Sequence, residues 1–158
     1  MAIKNFTLLK QKRNNICGYS TASMIINYLE NKDISEDYLF ENNPFNEKGI
    51  TFLTLLDVYK KYLPSYKTEL IREDKNKTLE TIKDSLKANI PMHILYLTPN
   101  LLGDNKPVLH YAALIGFDEV NDTFTLADPF GIIKTLEKAP FFSSISMVNN
   151  AMLKFTKL

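Results

Sequence analysis

The 158-residue chain has one cysteine, two histidines and five glycines, and each scarcity closes off a class of function. One cysteine cannot form an intrachain disulfide, so nothing is stapled for an oxidising compartment. It also excludes zinc sites built from cysteine clusters, and two distant histidines supply no other metal constellation. Five glycines leave little material for a phosphate-cradling or dinucleotide fingerprint, and no such motif is present. Neither sign of charge dominates: 19 basic residues against 18 acidic give +1, interspersed, with no footprint for nucleic acid and no polybasic membrane patch. No run approaches the roughly 18 apolar residues needed to cross a bilayer. Met1 to Lys12 lacks the apolar core of a secretory signal. The expectation is a soluble, cytoplasmic, reducing setting with no cofactor, no nucleic-acid partner and no membrane insertion.

What is present is an ordinary globular composition, 45% hydrophobic and 23% charged. The length fits one domain, 1–158, able to bury about two-thirds of its unfolded surface. No repeat, low-complexity tract or linker divides it. A first helix is predicted from Cys17 to about Glu30, with Ala22, Ile25, Ile26 and Leu29 at three- and four-residue steps. Residues 42–49 form a polar turn. Thr51 then caps a helix carrying Phe52, Leu55, Leu56, Tyr59 and Leu63, stopped by Pro64. A third helix is predicted from Thr78 to Ala88. After Asn89 the texture changes to short aliphatic and aromatic runs. Strands are predicted over Ile90–Leu97, Val108–Phe117, Thr123–Ala127, Ile132–Thr135 and Ala151–Lys157. Helices gathered first and strands gathered later predict an α+β fold with an antiparallel sheet.

Four residues carry candidate chemistry. Cys17 sits where a helical pattern begins. A thiol is a weak nucleophile until it ionises, and a helix N-terminus beside an imidazolium favours the ionised form. Gly18 is expected to leave the sulfur sterically open. Taken alone, a free cysteine is as readily a buried structural residue. The base must be a histidine, because imidazole titrates near neutrality. His110 opens an apolar strand; His93 lies inside another and is assigned to packing. Asp128 ends the strand that follows the turn after His110, where a hairpin can bring it to the imidazole as orienter. Asp128-Pro129 equally makes a simple turn. Gln11, six positions before Cys17, can join the Cys17 backbone N–H as an oxyanion donor, although an isolated glutamine is usually a surface residue.

Gln11-x5-Cys17-Gly18 with Ala22, Met24 and Tyr28, then His110-Tyr111-Ala112-Ala113-Leu114-Ile115-Gly116-Phe117 and Asp128-Pro129-Phe130-Gly131, resembles the C39-like peptidases of the papain-like clan. The resemblance spans about residues 8–133. It implies a helical lobe packed on a C-terminal antiparallel sheet, with Cys17 as nucleophile, His110 as general base and acid, Asp128 as orienter and Gln11 as oxyanion donor. The bacteriocin-processing members of that family cut leader peptides after a double glycine at the head of an exporter. Here Ile16 stands where those proteins commonly carry an acidic residue, and no membrane or nucleotide-binding segment is present. The stand-alone branch therefore fits better.

The leading expectation is a cysteine endopeptidase working through a Cys17 thioester on a leader or precursor peptide, with a peptide or protein substrate. The alternatives are a peptidyl or acyl transferase on the same triad, and a peptide-binding module without turnover. An exporter or other domain outside this chain is the partner that the resemblance implies. Phe40–Gly49 and Thr98–Pro107 are the expected walls of a substrate cleft.

Overall fold

Helices dominate the first half of the chain and strands the second, as the sequence texture predicts. The computed structural model describes residues 1–13, 16–46, 49–98 and 107–158. In chain order the elements are α1 (Cys17–Glu30), α2 (Glu36–Asn42), α3 (Phe52–Tyr62), β1 (Tyr66–Ile71), α4 (Lys75–Lys87), β2 (Met92–Thr98), β3 (Val108–Asp118), β4 (Thr123–Asp128), β5 (Ile132–Glu137), α5 (Lys138–Ser146) and β6 (Met152–Lys157).

The helices begin where their caps allow. Thr51 and Thr54 form a reciprocal capping box that starts α3. Asp74 accepts the Lys77 N–H and starts α4 three residues ahead of the predicted Thr78. No side chain caps α1 at Ile16, and its far end closes on Asn31 in the left-handed region, φ 51°. Three elements lie outside the expectations: α2, β1 and α5. The first has only seven residues and is fixed by the Ser35 hydroxyl accepting the Tyr38 N–H. Pro140 falls in the first turn of α5, where a missing N–H costs nothing.

The six strands form one antiparallel sheet in the order β1-β6-β2-β3-β4-β5. The last strand thus enters between β1 and β2 and ties the end of the chain to its middle. Central β3 is buried from His110 to Phe117, which explains its near-continuous apolar run. A bulge between Leu114 and Gly116 breaks its register with β4. Helix α1 packs on β3 and against α2 and α3, while α5 packs on β2, β4 and β5. Phe124 anchors the α5 side, stacked on Phe141 at 4.0 Å and on Phe117 at 4.6 Å between ring centres. The α+β arrangement therefore holds the first residue of α1 close to the start of β3.

Candidate active site

Cys17 is the first residue of α1, half-buried, at a helix end whose leading N–H groups have no side-chain cap. The sequence expects Gly18 to leave the sulfur sterically open; the structure shows a further reason for a glycine here. Gly18 is buried, and a Cβ built there falls 2.7 Å from Ile50 Cγ2 and 3.2 Å from the Tyr111 ring. The glycine lets α1 approach this wall, which the Tyr111 hydroxyl stiffens by donating to the Ile50 carbonyl at 2.9 Å.

His110 is the third residue of β3 and only 3% exposed. Its Nε2 lies 2.9 Å from Oδ1 of Asp128, the last residue of β4. The hairpin between β3 and β4 makes this meeting possible across eighteen positions. Cys17 is the second group that acts on the ring, and with Asp128 it favours the protonated form. With Nε2 turned to Asp128, Nδ1 is the nitrogen left for sulfur. Phe130 stacks on the imidazole, 4.6 Å between centres and 15° between planes, and fixes its tilt.

Asp128 is fully buried and uses both oxygens. Oδ1 also accepts the Phe130 N–H at 2.8 Å, an Asx turn made by the same carboxylate that holds the histidine. The turn and the orienting contact are therefore compatible readings of Asp128-Pro129. Oδ2 accepts the Tyr96 hydroxyl at 2.5 Å and lies 3.4 Å from Lys134 Nζ. The same ammonium donates to the hydroxyls of Tyr96 and Thr98, each at 3.1 Å.

These contacts set the charges. Burial alone would push the Asp128 carboxyl up, but the His110 hydrogen bond and charge, the Tyr96 hydroxyl and the Phe130 N–H outweigh it and hold the group at about 2. Burial opposes protonation of His110, yet the bonds and charges of Asp128 and Cys17 win and raise it to about 9. Burial and the bond to Asp128 push the Tyr96 phenol well above its usual range, so it is a committed donor. The arrangement can hold a thiolate beside an imidazolium whose other nitrogen is fixed by a carboxylate.

Gln11 lies in an extended segment joined to the Asp128 turn. Its N–H donates to the Pro129 carbonyl at 2.6 Å, and Lys10 forms a bridge with Phe130. The Gln11 amide donates to the Arg13 carbonyl at 2.8 Å, and its Oε1 is buried with no partner among the described residues. The structure thus brings Gln11 to the Asp128 side of the site, with no hydrogen bond to Cys17 among the described residues. His93 is packing, as predicted: it is fully buried, with Nδ1 2.6 Å from the Tyr59 hydroxyl.

Tyr96, Lys134 and Phe130 are the members of this cluster that residue chemistry did not point to. Tyr96 stands opposite His110 in the β2–β3 register, and Lys134 is two strands away. Of the two expected cleft walls, 99–106 and 47–48 lie outside the described residues, and Phe40–Asn42 belongs to α2. Among the described residues no group of acidic, histidine or cysteine side chains could hold a metal ion, and no helix is long and apolar enough to cross a membrane.

Residues 3–144 match the sequence profile of the Peptidase_C39 like family. No curated protein matches the chain in sequence. Among solved structures, a C39-like peptidase from Bacillus anthracis superposes with a TM-score of 0.75 at 16% identity, over 99% of this chain and 97% of that one. The peptidase domain of Streptococcus ComA, a bifunctional ABC transporter of a quorum-sensing pathway, gives 0.71 at 19%, over 98% and 100%. A double-glycine-motif protease from an AMS/PCAT transporter, solved with its leader peptide, gives 0.69 at 15%, over 99% and 94%. At these identities the likeness is one of fold.

Proposed function

The chain belongs to the Peptidase_C39 like family, and on that premise we propose that it is a cysteine endopeptidase that cuts a peptide bond through an acyl-enzyme on Cys17. The observation that carries the proposal is His110, bonded to Asp128 through Nε2 and raised in pKa by Asp128 and by Cys17 together.

The Cys17 thiolate attacks the scissile carbonyl carbon; the C–S bond forms and the carbonyl π pair moves to oxygen. The Cys17 N–H at the open end of α1 and the Gln11 amide stabilise that oxyanion. As the intermediate collapses, the C–N bond breaks and the His110 imidazolium gives its proton to the departing amine. Neutral His110 then takes a proton from water, whose oxygen attacks the thioester. The C–S bond breaks, and the carboxyl product leaves with the enzyme restored. Asp128 accepts the Nε2–H throughout and keeps the ring in one tautomer.

The substrate proposed is the leader or precursor segment of a peptide, supported by the leader peptide bound to the AMS/PCAT relative. Cleavage of such a peptide is the test. Cys17→Ala abolishes hydrolysis and leaves the fold and the melting temperature close to wild type. A Cys17→Ala protein that still cleaves overturns the proposal.

A further inference from the structure

Glu36 is a carboxylate only 7% exposed that the acyl-transfer steps leave unused. It opens α2, accepts the Lys12 N–H through Oε1 at 2.5 Å, and accepts the Ser20 hydroxyl through Oε2. Both partners are neutral, and no ion pair to Glu36 is found among the described residues. Taking a carboxylate out of water without a cation is expensive, and an apolar side chain would fill the same space more cheaply. The position therefore calls for a forked polar side chain of this length, which holds partners on two different segments at once.

Those two segments are the two halves of the proposed oxyanion site. Lys12 directly follows Gln11, and Ser20 lies one turn beyond Cys17 on α1. On its other side the Gln11 segment is tied to Pro129 and Phe130. Three consecutive residues, Lys10 to Lys12, are thus fixed; Leu9 N–H donates to Met24 Sδ of α1 at 3.3 Å, and Glu36 adds a tie to α1 at Ser20, nearer to Cys17. Catalysis by a preorganised donor depends on its placement, and an error of about 1 Å costs on the order of a hundredfold.

We infer that Glu36 is a positioning residue, clamping the Lys12 backbone to α1 at Ser20 so that the Gln11 amide is held in register with Cys17. The inference rests on the acyl-transfer proposal above and adds the device that sets its oxyanion geometry.

Two thiol reagents separate positioning from mere folding. The aldehyde acetyl-glycyl-glycinal adds Cys17: the C–S bond forms, the π pair goes to oxygen, and that oxygen takes the thiol proton as a hemithioacetal. Iodoacetamide alkylates the same sulfur with loss of iodide and develops no oxyanion. Glu36→Asp keeps the charge but shortens the reach by one methylene. It is expected to weaken aldehyde binding about tenfold or more while iodoacetamide alkylation stays within about twofold. Glu36→Gln, which keeps the length and can serve both partners, binds the aldehyde nearly as wild type does. Gln11→Ala reproduces the loss, and the double variant Glu36→Asp/Gln11→Ala is no worse than Gln11→Ala alone, because Glu36 acts only through Gln11.

Aldehyde binding unchanged in Glu36→Asp overturns the inference, as do losses that multiply in the double variant. A parallel fall in both reactions with a lowered melting temperature makes Glu36 a residue of the fold alone and equally overturns it. If Glu36→Asp does not fold, Ser20→Ala frees the same tie from the helix side and must weaken the aldehyde in the same direction. Should wild type form no Cys17-dependent hemithioacetal, the acyl-transfer proposal itself falls, an outcome independent of any Glu36 variant.

Discussion

The ammonium of Lys134 lies 3.4 Å from Oδ2 of Asp128, while His110 occupies Oδ1 of the same carboxylate. A cation on the far oxygen draws on the charge that the imidazolium also uses. Lys134→Met removes that competitor without opening a large void. The His110 imidazolium is then more strongly held, and the alkaline limb of kcat/KM moves to higher pH than in wild type. A pH–rate profile checks it; a limb that stays in place or moves down contradicts the sharing of Asp128 between the two cations.

Asp128→Asn is the opposite perturbation. The amide oxygen still accepts the Nε2–H but carries no charge, so His110 falls from about 9 toward its ordinary value and the alkaline limb falls with it. Turnover drops by as much as about 10⁴-fold, since an amide can also present its NH2 to the ring and favour the wrong tautomer. Stability follows the same linkage. A histidine raised above its unfolded pKa contributes stability that is complete below about 6.5 and is lost as pH rises through about 9. The carboxylate, lowered to about 2, contributes stability present above its usual range and lost as pH falls toward 2. The denaturant-midpoint gap between wild type and Asp128→Asn is therefore widest between about pH 4 and 6.5 and narrows on either side.

The second histidine predicts a different acid response. His93 is fully buried and neutral, pushed down to about 3 by burial, with Nε2 unpartnered among the described residues. A histidine with a depressed folded pKa contributes stability above about 6.5 that is lost as pH falls toward 3, because the unfolded chain takes up the proton first. Between pH 7 and 4 this amounts to about 3 kcal/mol. His93→Phe loses both the Tyr59 hydrogen bond and this dependence on pH, so its unfolding free energy must decline less steeply over that interval than that of wild type. Urea unfolding at the two pH values measures it, and equal slopes would remove His93 from the acid response.

What could be read in the sequence tracks the range over which each feature is determined. Helices α1 and α3 have enough turns for a 3.6-residue period, and β2, β3 and β6 are apolar enough to declare themselves. Helix α2 is too short for any period, and β1 mixes Lys67 and Glu69 with apolar residues and depends on pairing with β6, over 80 positions later. Cys17, His110 and Asp128 stood out as candidates in the sequence because few residue types can do each proposed task. Tyr96 and Lys134 were not, because their place beside Asp128 depends on strand register: Tyr96 faces His110, and Lys134 faces Leu126, two residues from Asp128. Gly18 was legible as a glycine but not for its reason, since Ile50 and Tyr111 come from distant segments.

That reason makes Gly18→Ala a test of the wall beside Cys17. In an exposed helix the change would stabilise by up to about 1 kcal/mol through backbone entropy. Here the new methyl meets Ile50 Cγ2 at 2.7 Å and the Tyr111 ring at 3.2 Å. The ring cannot simply recede: its hydroxyl is bonded to the Ile50 carbonyl, and Phe52 packs edge-on against it at 5.5 Å. Overpacking of this kind costs about 1–3 kcal/mol, which exceeds the helix gain. The variant is therefore expected to be less stable by about 1 kcal/mol or more in chemical denaturation. It should also be slower in Cys17 alkylation, because relief of the clash displaces the first turn of α1 away from His110. A Gly18→Ala protein more stable than wild type, with undiminished thiol reactivity, would mean that the wall yields freely and does not set the position of the sulfur.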